Sequence, residues 1–146
     1  MTKEIFTNSP EETEAFGASV GKKITEDPTL PRFIALYGDL GVGKTAFVRG
    51  LASVLAKSSI VRSPTFAIVN EYRGEDGSLF HFDMYRIEDE DELYSIGFFD
   101  YLDRGISVVE WSENIPFALP ERYIKIEISK ISTAEPDKRK IAYSVI

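Results

Sequence analysis

Residues 33–45 read FIALYGDLGVGKT. Phe33 to Tyr37 is a short continuous apolar run, as expected of a strand covered on both faces in a parallel sheet. The next eight residues, Gly38 to Thr45, fit the pattern G-x-x-x-x-G-K-[ST]. Each position has a physical task. Gly38, Gly41 and Gly43 let the backbone curl around Asp39, Leu40 and Val42, so that its N–H groups turn inward as a nest for phosphate oxygens. Ala46 belongs to the first turn of the following helix, whose positive end points at the same anion. Lys44 supplies a compact charge for the terminal phosphates, and the Thr45 hydroxyl suits Mg²⁺. A chance glycine turn is the plain alternative, but such a turn needs no buried strand before it and no helix after it. Both are present here, which points to a nucleotide-binding α/β domain.

The rest of the chain agrees with that frame. KTAFVRGLASVLAK reads as the helix after the loop, with Phe47, Leu51, Val54 and Leu55 on one face. Upstream, Ser9 is placed to cap a helix, with Pro10 at its first position and Glu12 completing a capping box. Phe16, Val20 and Ile24 then recur along one face, and Asp27-Pro28 ends the helix. FAIVNEYR and SLFHFDMY flank GEDG and read as a β-hairpin. YIKIEIS alternates as a half-exposed strand, and KIAYSVI closes the sheet. The predicted fold is α/β and P-loop NTPase-like: a central, mostly parallel sheet with an antiparallel hairpin, flanked by helices.

The 146 residues, 43% of them hydrophobic, suit a single domain over 1–146 with an ordinary core. No cysteine is present, which removes disulfides and thiolate chemistry and fits a reducing compartment. No apolar segment follows Met1 as a leader would, and no run reaches membrane-spanning length, so a cytoplasmic, membrane-free protein is expected. A net charge of −7 opposes direct binding of nucleic acid, whose affinity comes mostly from Lys and Arg on phosphates.

Two further stretches carry carboxylates. ISVVE, Ile106 to Glu110, is a buried-strand pattern that ends in an acid, interrupted only by Ser107. An acid at the end of a strand beside the phosphate loop holds Mg²⁺ or its water. In LFHFDMY, Phe80, Phe82 and Met84 share one face and Leu79, His81, Asp83 and Tyr85 the other. His81 and Asp83 are therefore same-face neighbours, roughly 7 Å apart by strand rise. A solvated polar face is the bland reading; the functional one sets Asp83 near the γ-phosphate to orient the attacking water or the metal's water shell. Thr65, in SPTF, is a second loop candidate for sensing the γ-phosphate through Mg²⁺. EDEDE, Glu88 to Glu92, reads as a solvated helix start whose acids suit the positive helix end.

GDLGVGKT, SPTFAIVNEY, HFDMYR and VVEWSEN, in this order and spacing, resemble the TsaE (formerly YjeE) family across nearly the whole chain. The phosphate loop alone is generic; the four motifs together are specific. The resemblance implies an ATP- and Mg²⁺-dependent cytoplasmic ATPase. It would act with TsaB and TsaD in threonylcarbamoylation of adenosine 37 in tRNAs that read ANN codons, meeting tRNA only through that complex. It implies Gly38 to Ala46 around the phosphates, Thr45 and Glu110 as Mg²⁺ ligands, Lys44 and Asp83 as catalytic groups, and Trp111 beside the nucleotide. By the same resemblance Thr7 and Ser9, in FTNSPEE, reach toward the base, and Arg139, in the KRK tail, toward the site. Ordinary packing is the alternative for Trp111. A small-molecule P-loop kinase, a GTP-dependent switch and a non-catalytic nucleotide scaffold are the rival functions. A chain of this length leaves few residues for an acceptor pocket, no Asn-Lys-x-Asp motif is present for guanine, and Asp83 and Glu110 argue against a scaffold.

Overall fold

FIALY forms β2 (Phe33–Tyr37), the middle strand of the sheet. The computed structural model describes residues 2–39, 41–64 and 67–146. Among these the sheet has seven strands, the others being β1 (Thr2–Thr7), β3 (Val69–Gly74), β4 (Gly77–Asp83), β5 (Gly105–Glu110), β6 (Ile124–Ser132) and β7 (Glu135–Val145). Their spatial order is β1-β7-β6-β2-β5-β4-β3. The four inner strands β6, β2, β5 and β4 run parallel. Antiparallel pairs close both sides: β3 on β4, and β7 on β6 with β1 beyond it. The α/β expectation with a parallel centre is met. The antiparallel part is wider than the single expected hairpin, because Thr2–Thr7 forms an edge strand on β7 that the sequence reading did not assign.

Alternation in β2 explains why the sheet is covered on both sides. Ile34 and Leu36 point into one core with Val20 and Ile24 of α1 (Pro10–Glu26) and Phe47, Val48 and Leu51 of α2 (Lys44–Leu55). Phe33 and Ala35 point into the other, with Phe80, Phe82 and Val109. That second core also takes in Leu93 of α3 (Glu90–Ser95) and Phe98 of α4 (Phe98–Tyr101). Its aromatic rings meet edge to face: Phe82 lies 5.1 Å from Phe98 and 5.4 Å from Tyr101, an arrangement that ring quadrupoles favour.

The helix starts follow the sequence closely. Ser9 Oγ accepts the Glu12 N–H, and Pro10 occupies the first turn. The capping box is displaced by one residue, since the Glu12 carboxylate takes the Asn8 N–H rather than that of Ser9. Asp89 caps α3, and Glu90, Asp91 and Glu92 fill its first turn, so the acidic run is a helix start as expected. GEDG is the tight end of the β3–β4 hairpin, with Gly74 paired to Gly77. Helices α1 and α2 cross in close contact because glycines face the crossing. A Cβ on Gly17 would lie 2.2 Å from the Phe47 carbonyl oxygen, and one on Gly50 1.9 Å from that of Glu14. This packing holds the start of α2, and with it the phosphate loop, at the end of β2.

Candidate nucleotide-binding site

The loop between β2 and α2 has the backbone that its glycines permit. Gly38 has φ +145° and Gly43 φ +110°, a region that side chains disfavour. At Gly38 space is also closed: a Cβ would lie 2.6 Å from the Ile128 carbonyl oxygen and 2.8 Å from Val42 Cγ2. Gly43 caps α2 without a side-chain hydrogen bond, which leaves the first N–H groups of the helix directed at the loop. Leu40 lies outside the described residues, as does Thr65. Asp39 is exposed, and Thr45 and Ala46 stand in the first turn of α2.

Lys44 is buried, at 5% exposure. Its Nζ donates to the Gly38 carbonyl at 2.5 Å and lies 4.0 Å from the centre of the Trp111 ring. Burial pushes its pKa below the usual lysine range, while Glu110, Glu113, Asp83 and Asp39 pull it back up. Trp111 is thus a packing residue and a neighbour of the phosphate-loop lysine at once. It is held by a left-handed backbone, φ +58°, and by Tyr85, whose ring is 5.0 Å away. Glu113, which the sequence reading did not single out, accepts the Gly38 N–H at 3.4 Å. It stands two residues beyond Trp111 in the quoted VVEWSEN stretch, so a signal was available.

The two carboxylates converge as their strands require. Parallel pairing sets Asp83 opposite Glu110, and Glu110 opposite Leu36 at the end of β2. Both acids are buried, at 7% and 5% exposure. Asp83 Oδ1 accepts the Tyr85 N–H at 2.9 Å, and Glu110 accepts from His81 Nε2. The alternative of a solvated polar face on β4 is therefore set aside: His81 is fully buried, with Tyr72 Oη 2.9 Å from Nδ1. Buried polar side chains are as a rule hydrogen-bonded, and both ring nitrogens are. Ser107, the interruption in β5, is buried as well; its backbone N–H donates to the Arg32 carbonyl, while its Oγ has no hydrogen-bond partner among the described residues.

Pairing of the chain ends brings in the remaining candidates. Thr7 is the partner of Arg139 across β1 and β7, which settles the register of the KRK tail. Arg139 reaches the phosphate loop itself: Nε donates to the Val42 carbonyl at 2.7 Å and Nη2 to that of Gly41 at 3.4 Å. Thr7 is buried and shares a 2.8 Å hydrogen bond with Thr13 of α1, whose methyl would be 3.8 Å from a Cβ on Gly43. Thr13 was not singled out from the sequence. Ser9 sits at the helix cap, one turn before it.

The donor set suits Mg²⁺. The ion prefers oxygen and binds through one or two protein groups plus substrate phosphates, and Thr45 and Glu110 could supply two hard oxygens near the phosphate loop.

A family model described as "Threonylcarbamoyl adenosine biosynthesis protein TsaE" matches residues 7–141. The chain belongs to the TsaE family. It is 38% identical over 142 residues to the tRNA threonylcarbamoyladenosine biosynthesis protein TsaE of Bacillus subtilis (strain 168), spanning 96% of this chain and 84% of that one. The protein of the same name from Aquifex aeolicus is 39% identical over 115 residues, 77% of this chain and 79% of its own. A crystal structure of Bacillus subtilis YdiB superimposes with a TM-score of 0.76 at 30% identity, covering all of this chain and 86% of that one. Among the described residues no helix is long and apolar enough to cross a membrane.

Proposed function

We propose that this TsaE-family chain is a Mg²⁺-dependent ATPase. It would serve as an accessory subunit to TsaB and TsaD in threonylcarbamoylation of adenosine 37 in tRNAs that read ANN codons. The observation that carries the ATPase reading is the convergence of Lys44, Asp83 and Glu110 at one end of the parallel strands, beside a glycine loop and a helix start. The pathway is supported by the family to which the chain belongs.

In this reading the loop N–H groups and Lys44 hold the β- and γ-phosphates. Lys44 exchanges its bond to the Gly38 carbonyl for phosphate oxygen. Thr45 and Glu110 hold Mg²⁺, which neutralises charge on the phosphates when bound. Asp83, its carboxylate fixed by the Tyr85 N–H, orients the attacking water and receives its proton as the bond between the γ-phosphorus and the departing ADP oxygen breaks. Trp111 covers Lys44 and excludes water from it. The protein works in the cytoplasm, and its charge of −7 leaves the tRNA contact to TsaB and TsaD.

The test is steady-state phosphate release from ATP with no acceptor present, with and without purified TsaB and TsaD. Slow release that rises on adding the two proteins supports the reading. Release that requires a small-molecule acceptor makes the chain a kinase, and a preference for GTP in competition makes it a switch. A submicromolar gel shift with tRNA at physiological salt, without partners, would overturn the indirect tRNA contact.

A further inference from the structure

His81 and Tyr72 have no part in the chemistry above, yet they form a buried polar chain behind Glu110. His81 is at 0% exposure and Tyr72 at 5%. Glu110 accepts from His81 Nε2, so that nitrogen carries the hydrogen when the carboxylate is ionised. Nδ1 is then the acceptor, and Tyr72 Oη lies 2.9 Å from it. The same hydroxyl accepts the Arg62 N–H at 3.2 Å and lies 2.9 Å from the Arg62 carbonyl. The rings of Tyr72 and His81 also pack, with centroids 5.8 Å apart. One unbroken path of polar contacts thus runs from the Glu110 carboxylate to the backbone of Arg62, next to Ser63 and Pro64.

The same connection, between α2 and β3, also meets the backbone of the residue that bears the other carboxylate, Asp83. Ile68 has φ +69°, a strained value for a β-branched residue. Its N–H donates to the Pro64 carbonyl at 2.6 Å, and its carbonyl accepts the Asp83 N–H at 2.9 Å. Arg62 is therefore held by Tyr72 of β3, and Ile68 by the backbone of Asp83 at the end of β4.

We propose that His81 and Tyr72 are positioning residues. They hold the Glu110 carboxylate in one orientation toward Mg²⁺ and couple it to the backbone at Arg62. The inference rests on the ATPase reading, and it assigns a role to the histidine of HFDMYR that needs no transfer of its own proton. Hydrogen bonds to the far side of a ligating group typically matter about tenfold to a hundredfold in metal affinity. A histidine whose hydrogen is donated to the carboxylate, and whose other nitrogen is occupied, leaves that carboxylate one preferred geometry.

The experiment measures affinity for a nonhydrolysable ATP analogue by calorimetry, in EDTA and in saturating Mg²⁺, together with Mn²⁺ binding by electron paramagnetic resonance. His81→Ala should keep metal-free affinity within about twofold and lose about tenfold in Mn²⁺ affinity and in the Mg²⁺-dependent gain. His81→Gln should recover most of both, since its amide N–H reaches about where Nε2–H does. Tyr72→Phe removes only the hydroxyl. It should speed hydrogen exchange at the Arg62 amide by about tenfold and remove the slowing that the Mg²⁺ complex of the analogue causes there in wild type. Equal losses with and without metal in His81→Ala, or an undiminished response to metal, would overturn the proposal. So would unchanged Arg62 exchange in Tyr72→Phe, which decides the matter even if His81→Ala does not fold. Wild-type protein that binds no nucleotide would instead remove the ATPase reading itself.

Discussion

Asp83 and Glu110 are register partners across the parallel pair β4 and β5, both buried, and the Met84 N–H donates to the Glu110 carbonyl at 3.0 Å just beyond them. Neighbouring parallel strands carry partner side chains on the same face, so the two acids are set side by side on one face of the sheet. Their roles separate by substitution. Asp83→Asn should leave Mg²⁺–ATP affinity within about threefold and lower kcat by about a hundredfold or more, as expected when an acceptor of a water proton is lost. Glu110→Gln should weaken Mg²⁺-dependent binding while sparing metal-free binding. Single-turnover hydrolysis and calorimetry check both. Wild-type turnover in Asp83→Asn would make HFDMYR a structural strand end.

Lys44→Met should cost nucleotide affinity by about tenfold or more without lowering thermal stability. The ammonium is buried, and burial holds its pKa down; in the proposed reading, phosphate is what compensates a charge so placed. With the folded-state pKa below the ordinary 10.5, the unfolded chain binds the proton more readily. Stability linked to Lys44 therefore rises with pH just below 10.5. Methionine removes that penalty and that slope together. Calorimetric binding and thermal melts at several pH values measure the two effects, and a melting point well below wild type would count against the functional placement of this lysine.

Gly50→Ala should destabilise the protein by about 1–3 kcal/mol, the range for forcing a methyl into a packed interior. The new Cβ would stand 1.9 Å from the Glu14 carbonyl oxygen and 2.7 Å from the Ala18 nitrogen, both backbone atoms that cannot rotate away. Helices α1 and α2 must then part, and α2 begins at Lys44. Nucleotide affinity should fall along with the urea midpoint. A midpoint unchanged from wild type would show that the crossing yields.

Tyr37 ends β2, and burial pushes its pKa from 10.0 up to about 12, helped by Tyr123, Glu113 and Glu127. The folded chain keeps the phenolic proton that the unfolded chain has released above pH 10, so stability contributed by this residue declines between pH 10 and about 12. Absorbance titration should find one tyrosine step near the upper end of that range, missing in Tyr37→Phe. Denaturant melts of that variant should show a shallower alkaline decline.

The sequence by itself determined the parts of this protein that depend on local backbone and periodicity. Gly38 and Gly43 mark a turn between a strand and a helix, because glycine tolerates the φ values found at these two positions and side chains do not. The cap at Ser9, the acid-rich start of α3 and the hairpin at GEDG were legible for the same reason: residues within a few positions of one another supply the partners. So was the place of Glu110 at a strand end, since an apolar run stopping in an acid needs no distant contact to be noticed.

Only the tertiary structure decided what the polar residues face. Alternation put His81 and Asp83 on one side of β4, and a polar side ordinarily reads as a wet one. It is buried here because Tyr72 from β3 and Glu110 from β5 meet the imidazole from both sides, and those partners lie 9 and 29 residues away in sequence. Thr7 lies beside Arg139, whose guanidinium bonds to the phosphate loop, because β1 and β7 pair across nearly the whole chain. Burial of a polar group is tolerated when hydrogen bonds replace its water, and which distant strand brings those bonds is set by sheet order, a property of the folded chain and of no local stretch of it.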